Sequence, residues 1–153
     1  MYSPEDTMRG VDSVMAQMLG EEQYLTACLA RLNWQTHRLS IISAGHPPLI
    51  LVSRAGASQT VELDSDPLGI FGGAILQRTD IKVARGDRFF MYSDGLIESS
   101  PGGGRREGLQ RLVEACVGYR DLPLADAVQE IVKQVAGCCA TDDLLLLAAE
   151  VGQ

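Results

Sequence analysis

One stretch decides the fold of this chain: Gly86-Asp87-Arg88-Phe89-Phe90-Met91-Tyr92-Ser93-Asp94-Gly95-Leu96-Ile97-Glu98. Its Gly-Asp pair predicts a turn, and the apolar run from Arg88 to Tyr92 predicts a buried strand. That strand ends at Ser93-Asp94-Gly95, so a carboxylate stands at the tip of a rigid element. A second acidic stretch, Thr141-Asp142-Asp143, comes directly before an apolar run from Leu144 to Val151, which predicts the last strand.

Carboxylates at the tips of buried strands are candidate metal ligands. Magnesium and manganese prefer such oxygen donors, and two carboxylates brought together without a cation would repel each other. Each stretch alone also has a plain structural explanation, because Asp-Gly is a common turn dipeptide and an aspartate before a strand is often a solvated end. The two stretches together suggest a metal site at the ends of two strands.

The remaining segments predict an α+β fold. A capping signal, Ser3-Pro4-Glu5-Asp6, opens a helix whose apolar residues recur at helical spacing. Strands then follow in one run, two helices come after the central stretch, and one strand closes the chain, an order that favours antiparallel layers. The predicted strands are 24–32, 38–44, 49–53, 59–63, 77–84, 88–92 and 144–151, and the first helix is predicted to bury Met8, Val11, Met15 and Met18.

Composition excludes several classes of protein. The chain has 153 residues, of which 46% are hydrophobic and 22% charged, as expected for one globular domain. Its net charge of −7 disfavours nucleic acid as a partner. The Arg105-Arg106 pair follows a glycine-rich stretch and is interpreted as part of a solvated loop. The sequence contains no apolar run long enough to cross a membrane and no secretory signal at its start, which predicts a cytoplasmic protein.

The other reactive residue types are interpreted as structural. Four cysteines occur, and the adjacent Cys138 and Cys139 lack metal-site spacing, so reduced cysteines are expected. His46 lies between a glycine and two prolines, where a turn residue is more common than a ligand or a base. The serines show no nucleophile-elbow spacing, and no phosphate-binding P-loop is present.

Four segments in order resemble the metal-dependent protein phosphatases (PPM, type 2C), in the branch similar to the stage II sporulation protein E phosphatase domain. They are an "AGHPP" strand and turn at 42–49, a "PLG" loop at 67–70, a "YSDG" block at 86–98 and a "DD" block at 141–144. No single motif is decisive, whereas the ordered set is specific and spans nearly the whole chain.

The resemblance implies a fold, a reaction and a site. The family's fold is an antiparallel β-sandwich flanked by helices, in α-β-β-α layers. Its reaction is hydrolysis of protein phosphoserine or phosphothreonine with two Mn²⁺ or Mg²⁺ ions. Asp94 and Asp142 match the family's metal-ligand aspartates, and Asp143 matches a neighbouring extra or supporting ligand. Ser93 and Gly95 form the site loop, and His46 is expected to be structural.

Two departures from the family pattern matter. The 153 residues contain no Asp-x-Ser-Gly-His-Gly block, which in the family supplies a bridging aspartate. We therefore expect 1–153 to be a single, N-terminally incomplete phosphatase domain that lacks strands and is inactive alone. An unpaired sheet edge would favour self-association, for example as a homodimer. Leu145 stands where the family often has a small polar residue.

Two functions remain open. The first is a phosphatase output domain of a bacterial signalling or response-regulator protein, whose partner would be a phosphorylated regulatory protein of the anti-sigma-factor antagonist type. The second is a degenerate phosphatase fold that holds a sigma factor or regulator without catalysis, since a fold does not determine a function. The YSDG and DD blocks favour the enzyme, and the two departures favour the binding module.

Overall fold

Two compact units make up the chain in the computed structural model. The first contains Met1–His46 and Glu62–Val83, and the second contains Pro47–Val61 and Ala84–Gln153. Each unit carries an antiparallel sheet of its own. The structure describes residues 3–20, 22–70, 73–98, 104–136 and 143–152.

The predicted fold class, α+β with antiparallel sheets and helices, is confirmed. The first unit has a three-stranded sheet in the order β1-β2-β5, and the second has a four-stranded sheet in the order β4-β3-β6-β7. The described elements are α1 (Pro4–Met18), β1 (Ala27–Asn33), β2 (Arg38–Ala44), β3 (Leu49–Val52), β4 (Ser58–Val61), β5 (Gln77–Lys82), β6 (Arg88–Tyr92), α2 (Asp94–Glu98), α3 (Arg105–Gly118), α4 (Leu124–Ala136) and β7 (Leu146–Glu150).

Helix α1 begins at the predicted cap but buries a different face from the one expected. The Asp6 amide donates to Ser3 Oγ at 3.1 Å, and Asp6 Oδ2 accepts from the Ser3 amide at 3.1 Å, which forms a capping box. Met8 is buried as predicted, whereas Val11 and Met18 are exposed. The prediction failed because a polar residue, Asp12, occupies the buried face.

Asp12 is buried because it accepts hydrogen bonds from one backbone amide within the PLG segment and from one that follows it. Its Oδ1 accepts from the Gly69 amide at 2.9 Å, and its Oδ2 accepts from the Ala74 amide at 3.1 Å. A buried carboxylate is stable when charge-assisted hydrogen bonds of this kind satisfy it. Helix α1 therefore holds the PLG segment through polar as well as apolar contacts.

The AGHPP segment forms a tight corner at the end of β2. Gly45 has φ +65°, and a Cβ there would lie 2.8 Å from Pro67 Cγ, so both the conformation and the contact require glycine. The His46 amide donates to Ser43 Oγ at 3.3 Å, which places His46 in the turn. The expected structural role of its imidazole stays a prediction.

The second unit buries the core that carries the candidate site. Strands β3 and β6 pair antiparallel, with Ile50 opposite Phe90, and β6 pairs with β7, with Phe90 opposite Ala148. Helices α2, α3 and α4 pack on this apolar core. Its largest members are Ile50, Phe90, Tyr92, Leu96, Leu112 and Ile131, each at most 1% exposed.

Some boundaries differ from the prediction. Strand β1 begins at Ala27 rather than residue 24, and β7 runs from Leu146 rather than residue 144. The short helix α2, which follows β6 at once, was not predicted, and α3 includes the two arginines assigned to a loop. No helix within the described residues is both long and apolar enough to cross a membrane.

Candidate metal centre

Asp94 lies where β6 passes into α2. The strand is anchored by Phe90 and Tyr92, which are at most 1% exposed, so the position of its end is well determined. Asp94 is the first residue of α2, and its side chain is 44% exposed. Gly95, the next residue, is buried in the first turn. A rigid strand therefore presents a solvent-accessible carboxylate at its end.

Ser93 joins this strand end to the segment that precedes β7. Its Oγ donates to the Asp143 carbonyl at 3.0 Å and accepts from the Leu145 amide at 2.9 Å. The Ser93 amide donates to the Leu145 carbonyl at 3.0 Å. Asp143 therefore lies at the same end of the sheet as Asp94. The hydrogen bonds of Leu145 use its backbone alone, so an apolar side chain at this position is compatible with the connection.

An arginine from the next helix pairs with Asp94. Arg105 Nη2 donates to Asp94 Oδ1 at 2.7 Å, and Arg105 Nε lies 3.8 Å from Glu98 Oε1. All three side chains are 44–56% exposed, so the pairs contribute little to stability. The interpretation of Arg105 as part of a solvated loop was wrong, because it opens α3 and faces the candidate ligand.

The comparison with protein families identifies the chain. The family model of stage II sporulation protein E (SpoIIE) matches residues 1–152. The chain belongs to the SpoIIE family. The family predicted from the four motifs is thereby confirmed, and it is a family of PPM-type serine/threonine phosphatases.

Relatives of this SpoIIE-family chain are phosphatases and regulators. The phosphoserine phosphatase RsbP of Bacillus subtilis (strain 168) is 22% identical over 134 residues, which cover 85% of this chain and 32% of RsbP. The solved RsbU and RsbW domains of Rv1364c from Mycobacterium tuberculosis match with a TM-score of 0.80 and 24% identity, over 96% of this chain and 42% of that one. This chain thus spans about a third of the curated relative that it matches.

A further solved structure, RsbX in complex with magnesium, matches with a TM-score of 0.70 and 16% identity, over 96% of this chain and 64% of that one. Other matching structures are PP2C phosphatase domains. At these identities, the likeness establishes the fold alone. The described residues of this SpoIIE-family chain thus have the PP2C phosphatase fold.

The donor set fits a hard divalent cation in its chemistry. Asp94 and Asp143 bring carboxylate and carbonyl oxygens to one end of the sheet, which are the ligand types that magnesium and manganese select. Asp142 is bonded to Asp143 in the chain and lies outside the described residues, as does Thr141. Within the described ranges, no group of three or more potential ligand side chains is assembled.

Sequence reasoning missed two features of the site. The capping pattern could have revealed Arg105, since Gly104 and Glu107 form a helix start at which the Gly104 amide donates to Glu107 Oε2 at 2.6 Å. The sequence placed Ser93 in the site loop but did not predict the hydrogen-bond partners of its hydroxyl. Those partners lie 50 and 52 residues away in the chain. No local pattern carries that information.

Proposed function

We propose that this chain supplies part of the metal centre of a cytoplasmic serine/threonine protein phosphatase in bacterial signalling. The observation that carries the proposal is the connection made by Ser93, which ties the end that bears Asp94 to Asp143. In this proposal, Asp94 and Asp142 bind the metal, and Asp143 is an extra or supporting ligand. Ser93 and Gly95 set the backbone around them.

The centre would hold Mn²⁺ or Mg²⁺, two ions in the complete domain. Bound metal supplies an activated water and neutralises phosphate charge. Asp94 is accessible to an ion from solvent, while the buried core beneath it keeps the strand end in place. The Arg105 guanidinium occupies Asp94 Oδ1, so it competes with a cation for the Asp94 carboxylate. An exposed pair of this kind offers only a small barrier.

The proposed substrate is a phosphorylated regulatory protein, such as an anti-sigma-factor antagonist. The name of RsbP, a phosphoserine phosphatase, supports phosphoserine chemistry. The RsbU and RsbW domains of Rv1364c occur together in one chain, which supports a role close to a regulatory partner. The net charge of −7 is consistent with a protein partner rather than nucleic acid.

A second candidate is a degenerate phosphatase fold that binds a regulator without catalysis. It is favoured by the Arg105–Asp94 pair, which neutralises the candidate ligand. The phosphatase would release phosphate in a reaction that depends on Asp94. The binding module would bind its partner and release no phosphate.

Phosphate release from a phosphoserine protein distinguishes the candidates. The sample is the natural full-length protein with Mn²⁺, compared with Asp94→Asn and Asp142→Asn. We expect turnover in the unmutated protein that both variants lose. The matched control is Asp64→Asn, an exposed loop aspartate that should leave turnover unchanged. Absence of turnover from the unmutated protein, together with retained binding of a regulator, would establish the binding module instead.

A further inference from the structure

A polar cavity lies in the second unit, at the end of the four-stranded sheet opposite the candidate metal centre. Its volume is about 400 Å³. It opens beside Arg88 at the start of β6 and Glu150 at the end of β7, which pair across the sheet. Asp94 follows the opposite end of β6, and the strand alone separates the two ends by about 13 Å. The cavity is therefore separate from the candidate metal centre.

The lining of this cavity is strongly basic in an acidic chain. Within the described ranges, four arginines and two carboxylates line it, although the whole sequence carries a net charge of −7. The excess of positive charge in a concave surface raises the local concentration of anions. The charged lining residues are Arg54, Arg85, Arg88, Arg120, Asp121 and Glu150.

Two of the arginines have fixed positions. Arg88 donates through Nε to Glu150 Oε2 at 2.7 Å and through Nη2 to the Leu122 carbonyl at 2.7 Å, so it is structural. Arg120 Nη1 donates to the Val117 carbonyl at 3.1 Å. The Nε of Arg120 is buried and has no hydrogen-bond acceptor within the described residues. Arg120 Nη2 also lies 3.4 Å from Asp121 Oδ2, so both carboxylates named in the lining already pair with Arg88 or Arg120.

Arg54 is the arginine that keeps its charge available. It is exposed, and its side chain has no acidic partner among the residues that the structure describes. Its backbone is fixed, because the Arg54 amide donates to Asp87 Oδ1 at 3.1 Å, and Asp87 Oδ2 also accepts from the Ala84 amide at 2.7 Å. Its stem lies over Gly86, where a Cβ would be 2.9 Å from Arg54 Cδ. The turn thus fixes the backbone of Arg54 and places its stem against Gly86 at the rim of the cavity.

We propose that this cavity binds a phosphoryl group, with Arg54 as its main ligand and Arg85 and Arg120 around it. Guanidinium groups match phosphate oxygens with paired, charge-assisted hydrogen bonds. Among the residues that the structure describes, no aromatic side chain lines the cavity, so these residues offer no surface on which a nucleobase could stack. The phosphoryl group is either free inorganic phosphate or part of a phosphoserine side chain. The proposal goes beyond the proposed function and requires no metal.

Backbone amide NMR titration of the 153-residue chain, with EDTA present, tests the proposal. The probes are inorganic phosphate, a short phosphoserine peptide and the same peptide without phosphate. We expect saturable shifts of amides at 53–57, 84–87 and 120–121 with the first two probes only. Tighter binding of the phosphopeptide identifies a phosphorylated protein as the source, and equal binding identifies free phosphate.

Variants make the assignment specific. Arg54→Gln should weaken binding about tenfold, because a charge-assisted hydrogen bond is lost, and Arg54→Lys should recover part of the affinity. Arg111→Gln removes the same charge from the exposed face of α3, and Asp94→Asn alters the candidate metal centre. Both should leave binding unchanged. Equal affinity of Arg54→Gln and the unmutated chain, or shifts confined to the surroundings of Asp94, would overturn the proposal whatever the phosphatase assay shows.

Discussion

Ser93 connects the end of β6 to the segment before β7 through a single side chain. Its hydroxyl serves both as donor and as acceptor to two points of the segment before β7. A serine at the end of a buried strand has few rotamers available, so both hydrogen bonds are held in direction as well as in distance. The relative position of Asp94 and Asp143 depends on this residue.

Replacement of Ser93 by alanine should weaken the connection between the two strand ends and lower the stability of the protein slightly. Two hydrogen bonds at a partly solvated position are lost, which should lower the free energy of unfolding by about 1 kcal/mol. Urea unfolding followed by circular dichroism measures this. Ser93→Thr keeps the hydroxyl and serves as the control. Equal midpoints for Ser93→Ala and the unmutated chain would show that the connection does not hold the strand ends together.

At the scale of elements, the approach of α3 to α2 depends on a glycine. A Cβ at Gly108 would lie 1.9 Å from the Ile97 carbonyl oxygen, which is backbone and cannot move independently. Gly118, at the end of the same helix, has no atom within 4 Å of the corresponding position. One helix therefore contains a glycine that packing requires and one that packing does not.

Gly108→Ala should be strongly destabilising, whereas Gly118→Ala should not. The first change forces α2 and α3 apart and should cost several kcal/mol, at least about 3 by analogy with overpacked cores. The second removes the entropic cost of a helical glycine and should be neutral or stabilise by up to about 1 kcal/mol. Thermal unfolding of both variants checks the pair. Similar melting temperatures for the two variants would contradict the packing described for α2 and α3.

The elements also show what the sequence could and could not predict. The hairpin of β1 and β2 follows from local patterns, because two apolar-rich stretches flank a short polar turn, and the register pairs Asn33 with Arg38. The buried face of α1 does not follow from local patterns. Burial of Asp12 is favourable because of the amides of Gly69 and Ala74, which lie 57 and 62 positions further along the chain. Candidate ligands could be named from motifs, but the Arg105 contact required the structure.

At the scale of the whole molecule, ion pairs in the first unit make its stability depend on pH. Hydrogen bonds from Arg78 lower the pKa of Glu5, and hydrogen bonds from Ser40 and Arg78 lower the pKa of Asp80. The Ser3 hydrogen bonds of the α1 cap lower the pKa of Asp6. A carboxyl whose pKa is lowered in the folded state stabilises the fold at pH values above its ordinary pKa, which is about 4. This stabilisation is lost as the pH falls through the lowered pKa.

The melting temperature should therefore fall as the pH is lowered from 6 to 3. Arg78→Gln removes the partner of Glu5 and Asp80, so this variant should show a smaller fall over the same interval. Arg9→Gln, an exposed arginine on α1, is the control for the change in net charge. The effect of each exposed pair is small, and the comparison depends on the difference between the two pH profiles. Parallel profiles for Arg78→Gln and the unmutated chain would exclude this network as a source of acid sensitivity.

Two further expectations concern the whole chain and stay predictions. The 153 residues by themselves are expected to release little phosphate, since two aspartates without a bridging third bind magnesium weakly. The chain is also expected to self-associate through a sheet edge, and sedimentation equilibrium would measure this association. The predicted single, incomplete domain over 1–153 also stays a prediction.

Mn²⁺ binding to the 153-residue chain, followed by water-proton relaxation, tests the central claim most directly, because it detects weak sites and needs no catalysis. We predict weak saturable binding that Asp94→Asn and Asp142→Asn each abolish and that Asp64→Asn leaves intact. Arg105→Gln should strengthen binding by a few-fold, since it removes a competing cation. The same weak affinity in the unmutated chain and in both ligand variants would contradict the claim that these two aspartates share an ion.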